Sequence, residues 1–334
     1  MVQFVEKLKR VIPVDSGKPL FQLLASAHND DLERILGDLE MVLSLPRLGT
    51  IQFEAEAEES PEFSETPITV TQAETATLRS LIRHQIIREY RTIDRDAVRS
   101  TYEPLFDLIF QYVNPAQHCL PIFTTNYDLA IELFCETSLG KYNLTEGLDM
   151  DPISKTASWS RGEFDRYSLW ENHLNLVQFK LHGSVDWIRN EKSGRVVRAP
   201  AMYDALDSDE FQNAIIYPTG DKAANREPYF SGYEYFSRCC EQATALLVIG
   251  YSFRDYKTLT RLAGAHGRNE RLKIVLVAPN AWGLTEVFDR DSSDTYSLLR
   301  LSVTPIAAYF GRPSDQTKYL QEIGAALSKV VGKN

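Results

Sequence analysis

Three short polar runs hold the residues of this 334-residue sequence best suited to chemistry. Thr124-Thr125-Asn126-Tyr127-Asp128 groups hydroxyl, amide and carboxylate functions. His182-Gly183-Ser184 sets an imidazole beside a residue whose missing side chain permits close approach of a ligand. Gly250-Tyr251-Ser252-Phe253-Arg254-Asp255 joins a glycine turn to a hydroxyl and a carboxylate. Imidazole titrates near neutrality, so His182 is the group suited to taking a proton from a hydroxyl or a water. Each run alone has a structural reading: Asn126 or Asp128 could cap the helix DLAIELFCE, Gly183 could serve a turn, and Asp255 could cap a helix. Their joint occurrence at three strand ends favours function. The other histidines are weaker candidates. His28, His84 and His118 lie in or near helical stretches, His173 precedes a strand, and His266 sits in the polar stretch GAHGRNE.

The strands that position these runs are continuous apolar segments: CLPIFTT (119–125), LVQFKLHG (176–183), ALLVIGYS (245–252), KIVLVAP (273–279) and, more weakly, LSVTPIAAY (301–309). Unbroken rather than alternating apolar runs predict strands covered on both faces, as in a parallel sheet. Helical segments at 253–265 and 283–289 separate several of them, giving β-α-β order. The fold class expected is α/β: a doubly wound, mostly parallel Rossmann-like sheet of about five strands with helical insertions and a small second lobe. In such sheets ligands bind beyond the carboxyl ends of the strands, which places Asn126, Asp128, His182, Gly250 and Ser252 in one cleft. Asn126 and His182 should then both be partly exposed.

Residues 1–115 read as mainly helical. Leu32, Ile35, Leu36, Leu39, Val42 and Leu43 recur at helical spacing, and 54–70 is an acidic loop. TQAETATLRSLIRHQIIREY and DAVRSTYEPLFDLIFQYV predict two further helices, with Pro104 kinking the second or starting a new one. Residues 116–334 carry the sheet, interrupted by irregular insertions at 140–172 and 190–235. A formal charge of -10 and a pI near 5.2 argue against a general nucleic-acid binder. No apolar run approaches a membrane span and the N-terminus lacks a signal-peptide core, so a cytoplasmic location is expected. The cysteines, Cys119, Cys135, Cys239 and Cys240, form no C-x-x-C pair. They read as buried small hydrophobes, and neither zinc nor any other metal is expected.

FTTNYD, KLHGS and VIGYSFRD, in this order and spacing, resemble the sirtuin-like NAD-hydrolase domains of bacterial antiphage defence systems, and IIYPTGDK at 215–222 resembles a segment those domains carry. The resemblance covers about residues 30–310. It implies NAD+ as substrate, with Asn126 at the anomeric carbon or its attacking water and His182 as catalytic base. It implies Thr125 in the T-x-N-x-D tail that holds the nicotinamide ribose and carboxamide, and Asp128 on the carboxamide. Gly250 and Ser252 match a turn against the ribose and phosphates, and Asn280 faces the adenine ribose. The implied activity is NAD+ glycohydrolysis, in a homo-oligomer working with a partner ATPase, helicase or nucleic-acid-sensing defence protein.

Two departures shape the expectation. Sirtuin deacylases carry a four-cysteine zinc module that this chain cannot build, which favours NAD+ cleavage over lysine deacylation. Relatives also open with a strand running into G-A-G-x-S, whose backbone N–H groups cradle the pyrophosphate. Gly17 and Gly37 are the only glycines before residue 49, so that loop is absent here. Residues 1–50 resemble the helices that follow it, and the sequence is read as starting downstream of the loop or as a branch without it. The rival expectation is a catalytically silent nucleotide-sensing or scaffold subunit. An ordinary dinucleotide dehydrogenase is disfavoured because no G-x-G-x-x-G occurs.

Overall fold

A computed structural model describes residues 2–13, 15, 17–44, 51–53, 68–113, 119–138, 140–151, 157–166, 174–198, 211–216, 226–253, 255–285 and 300–331. Helices α1 (Val2–Val11), α2 (Lys18–Ala27) and α3 (Leu32–Ser44) open the chain, followed by an antiparallel pair, β1 (Ile51–Phe53) and β2 (Ile68–Val70). Of the acidic stretch, 68–70 is therefore strand and 54–67 lies outside the described residues. The helical spacing in α3 buries Leu32, Ile35, Leu36 and Leu39 almost completely, each contributing about 1.5–3 kcal/mol. Helix α4 (Gln72–Arg91) begins with a capping box: Thr71 Oγ1 accepts from Glu74 N–H, and the Glu74 carboxylate accepts from Thr71 N–H.

Helix α5 (Arg95–Ile109) runs through Pro104, so of the two expectations, a kink or a new helix, the new helix is not what forms. Proline cannot donate to the carbonyl four residues back. That carbonyl, of Ser100, instead accepts from the side-chain amide of Gln316 at 2.6 Å. A tertiary contact thus satisfies the group that proline leaves bare.

The apolar runs form the strands the sequence predicts. After β3 (Cys119–Thr124) and α6 (Ala130–Thr137) come β4 (Tyr142–Thr145), β5 (Leu148–Met150), β6 (Ala157–Trp159) and the short α7 (Glu163–Arg166). Then follow β7 (Leu174–Lys180), β8 (Trp187–Asn190), β9 (Val196–Arg198), β10 (Phe211–Asn213) and α8 (Tyr229–Gln242). The chain ends with β11 (Ala245–Ile249), α9 (Tyr256–Arg268), β12 (Lys273–Ala278), α10 (Ala281–Thr285), β13 (Val303–Ala307) and α11 (Pro313–Val331). The stretches read as irregular are richer than expected. β4 lies inside one and extends the parallel pairing of β7, and α8 begins inside the other. Strands from both insertions, with β8, make a five-stranded antiparallel sheet in the order β10-β8-β9-β6-β5.

The structure is mixed α/β with parallel sheets. A single parallel sheet of five strands is not what the described residues form. Two three-stranded parallel sheets occur instead, β3-β7-β4 and β11-β12-β13. β3 and β11 are edge strands of their own sheets, and among the described residues no ladder joins one to the other. Burial follows this order, with β7 and β12 nearly wholly buried, β11 half-buried along its length and β3 half-buried except at the exposed Pro121. Common helices still flank both sheets. Ile109 of α5 packs against the cluster of Phe106, Phe134 and Leu176, which Leu120 and Ile122 of β3 also join, and against the cluster that holds Val275 and Val277 of β12. On the other face Phe236 of α8 meets Phe123 of β3 edge-on at 5.2 Å and joins the cluster of Ile274 and Leu276. Helices therefore cover β11-β12-β13 on both sides, which is why its strands lack polar alternation.

Candidate functional site

All three polar runs leave the carboxyl ends of parallel strands, and the backbone ties two of them together. Thr124 C=O accepts from Leu181 N–H at 2.8 Å, and Tyr127 C=O accepts from Val185 N–H at 2.9 Å. The loop after β3 therefore lies along the turn after β7. Asn126 is exposed and Thr125 half-buried, with the Asn126 N–H donating to Thr124 Oγ1 at 3.0 Å. Asp128 Oδ1 accepts at 3.0 Å from the N–H of Ala130, the first residue of α6.

Lys180, the last residue of β7, holds the same loop from beneath. Its Nζ donates to Asp128 C=O and pairs with Glu132 Oε1 at 2.7 Å, with the lysine side chain 1% exposed. Burial pushes the Glu132 carboxyl up to about 8. Lys180 pulls it down, and Glu146 and Asp186 add to the rise. Arg198 completes the cluster with a bidentate pair to Glu146, both contacts at 2.8 Å, and an ion pair to Asp186.

His182 departs from the expectation of partial exposure: it is buried, 2% exposed. The cause is the tightness of its turn. Gly183 has φ +87°, and a Cβ there would stand 2.1 Å from the backbone oxygen of Ala214. Ile216 N–H donates to His182 C=O at 2.9 Å, so segment 214–216 covers the turn. The Tyr127 ring lies 6.4 Å from the imidazole. His182 Nε2 is 3.1 Å from Asp255 Oδ2, and Nδ1 is buried with no hydrogen-bond partner among the described residues.

Asp255 brings in the third run. Its Oδ2 also accepts from Thr258 Oγ1 at 2.5 Å and from Tyr233 OH at 3.2 Å, while Oδ1 accepts from Lys257 N–H at 2.9 Å and so caps α9. Burial pushes this carboxyl up, but the hydrogen bonds from His182 and Thr258 outweigh it and hold the group at about 2. Sequence reasoning gave Asp255 only the capping role. Its place in VIGYSFRD was visible, but its second partner comes from 73 positions earlier. Between β11 and Asp255, Gly250 and Ser252 are exposed. Gly250 has φ +65° with no atom within 4 Å of where a Cβ would stand, so space opens beside it. Phe253, buried at φ +56°, holds an uncommon conformation for a bulky residue.

The hydrogen bonds described thus bring the Asn126 loop, His182 and the run ending in Asp255 together. Asn280 stands one strand further along, after β12. It is exposed, and its Oδ1 accepts from Gly283 N–H at 3.2 Å. Arg254, His118, His173 and residues 217–222 of IIYPTGDK lie outside the described residues. Among the described residues no group of three or more His, Cys, Asp or Glu side chains could hold a metal ion. Cys240 is buried and the other three cysteines are half-buried; burial pushes the Cys239 thiol up to about 11 and Cys135 and Cys240 to about 12, far from thiolate chemistry. No described helix is long and apolar enough to cross a membrane.

No curated protein matches the chain. The SIR2-like domain family, which includes NAD-dependent enzymes, matches residues 121–293. That match spans just over half of the chain and contains all three polar runs, Asp255 and Asn280. The chain belongs to the SIR2-like family.

Proposed function

We propose that this chain is an NAD+ glycohydrolase that cuts the bond between nicotinamide and ribose, acting in NAD-depleting antiphage defence. The observation that carries the reading is the meeting of an exposed asparagine loop with a buried, carboxylate-bound imidazole at the carboxyl ends of parallel strands. In this reading Asn126 orients the water that attacks the anomeric carbon, and His182 takes up the proton released. Thr125 and Asp128 hold the nicotinamide end. Gly250 and Ser252 receive the ribose and phosphates, and Asn280 the adenine ribose. The residues present fit such a substrate: Asn126 and Ser252 are exposed, there is open space at Gly250, and His182 Nδ1 is a buried polar atom in want of a partner. Asp128 Oδ1 and Asn280 Oδ1 already accept from backbone N–H groups of α6 and α10, which leaves Asp128 Oδ2 and the Asn280 amide nitrogen for the ligand.

We place the protein in the cytoplasm as a homo-oligomer, working with a partner ATPase, helicase or nucleic-acid-sensing defence protein. Incubation with NAD+ should release nicotinamide, and Asn126→Ala should abolish the release. A silent nucleotide-sensing or scaffold subunit is favoured by one observation, the burial of His182 at 2% exposed. Calorimetric binding of NAD+ with no nicotinamide release, even with the partner and trigger present, would replace the enzyme by the sensor.

A further inference from the structure

We propose that Asp255 is a positioning residue that fixes the His182 ring in one tautomer, with the proton on Nε2 and the lone pair on Nδ1. The proposal rests on the reading of His182 as the base of this site. Its two carboxylate oxygens do different work. Capping α9 needs one acceptor, and Oδ1 provides it to Lys257 N–H at 2.9 Å. Oδ2 makes no contribution to the cap through Lys257. It faces three side chains from three elements: His182 after β7, Tyr233 on α8 and Thr258 on α9.

Donor and acceptor chemistry then assigns the ring. Asp255 is 6% exposed and held well below the ordinary carboxylate range, so it is ionised and has no proton to give. Each partner must donate to it, the imidazole included. A neutral ring that donates from Nε2 carries its lone pair on Nδ1. That atom is buried and has no hydrogen-bond partner among the described residues, an arrangement that leaves a buried acceptor unsatisfied until a donor reaches it. A substrate hydroxyl or a water is such a donor. When it transfers its proton, the electron pair of the O–H bond stays on oxygen and the Nδ1 lone pair takes the proton. The resulting imidazolium stands against a carboxylate already in place, so no group needs to reorient as charge develops.

A purely capping role predicts something different, and Asp255→Asn separates the two. The asparagine oxygen can still cap α9, but its amide replaces an acceptor by a donor facing Nε2. The ring must then carry its proton on Nδ1 to relieve the donor–donor clash. Nitrogen-15 NMR of the histidines in the ligand-free full chain reads this directly. The expected wild-type spectrum has His182 protonated on Nε2 and bare on Nδ1, and Asp255→Asn reverses the pattern. In the nicotinamide-release assay the same variant should lose on the order of 10²–10⁴-fold in kcat with little change in KM, the size of a general-base contribution. His182 protonated on Nδ1 in the wild type would overturn the proposal, and so would an Asp255→Asn protein keeping both the wild-type tautomer and the wild-type kcat. If Asp255→Asn fails to fold, the wild-type spectrum alone decides. If the wild type releases no nicotinamide even with the partner and trigger present, the glycohydrolase reading falls while the spectra still decide how Asp255 sets the ring.

Discussion

Asn126 and His182 have opposite surroundings, and substitution should therefore damage the protein in two different ways. Asn126 is exposed, and its backbone N–H, not its side chain, makes the loop contact to Thr124. Asn126→Ala should leave stability within about 0.5 kcal/mol of wild type, as for surface substitutions generally. His182→Ala removes a donor from a buried carboxylate and empties a packed turn, which should cost about 1–3 kcal/mol. Urea denaturation of the two variants checks the contrast; equal midpoints would mean that the His182–Asp255 contact contributes nothing. The three runs drew attention because they fall together at strand ends, although each alone has a common structural use as a cap or a turn. The depth of His182 was not, since it depends on Ala214–Ile216 crossing over the turn, a contact that no local pattern encodes.

Among the elements, the glycines after β7 and β11 look alike in sequence and differ in what they accommodate. Both hold positive φ, +87° at Gly183 and +65° at Gly250. An alanine pays the left-handed penalty of roughly 1–2 kcal/mol at either position. At Gly183 its Cβ would also stand 2.1 Å from the Ala214 oxygen, a backbone atom that cannot swing away, whereas at Gly250 nothing lies within 4 Å. Gly183→Ala should therefore be the more destabilising by at least about 1 kcal/mol, comparable to a mild overpacking. Thermal unfolding of both variants measures the difference, and a Gly250→Ala protein less stable than Gly183→Ala would contradict the open space drawn beside Gly250. The five apolar runs were legible as strands because most of their residues are buried or half-buried beneath helices, least so in β13. β4, the short Tyr-Asn-Leu-Thr segment, was missed because only its pairing with β7 makes it a strand. The sequence left Pro104 open between a kink and a new start, because the group that lets α5 run through it is Gln316, far away in sequence.

For the whole molecule, apolar pattern foretold parallel strands and their helical cover but not the division into two sheets, because periodicity says nothing about which edges meet. It also gave no hint of the buried ionic cluster beneath the Asn126 loop. That cluster joins α6, β7 and β9 through Glu132, Lys180 and Arg198, and reaches Glu146 and Asp186. Its charges do not balance when every group is ionised: Lys180 and Arg198 face three carboxylates. A proton on Glu132 restores neutrality, in keeping with a carboxyl pushed up from 4.5 to about 8 by burial. This fixes the sign of a pH effect. Between pH 4.5 and about 8 the native state keeps a proton that the unfolded chain has released. Stability from this group is thus full below 4.5 and falls as pH rises through that window, by up to about 1.4 kcal/mol per pH unit. Asp255 acts with the opposite sign in a separate range, contributing stability above 3.8 that is lost as pH falls toward about 2. Glu132→Gln mimics the protonated side chain and removes the window, leaving two cations against two carboxylates. The variant should match the wild type near pH 5, where Glu132 is already protonated, and exceed it in melting temperature by a widening margin toward pH 8. Melting curves that stay parallel across that range would show that Glu132 is ionised in the folded protein, and that the cluster carries its excess negative charge unprotonated.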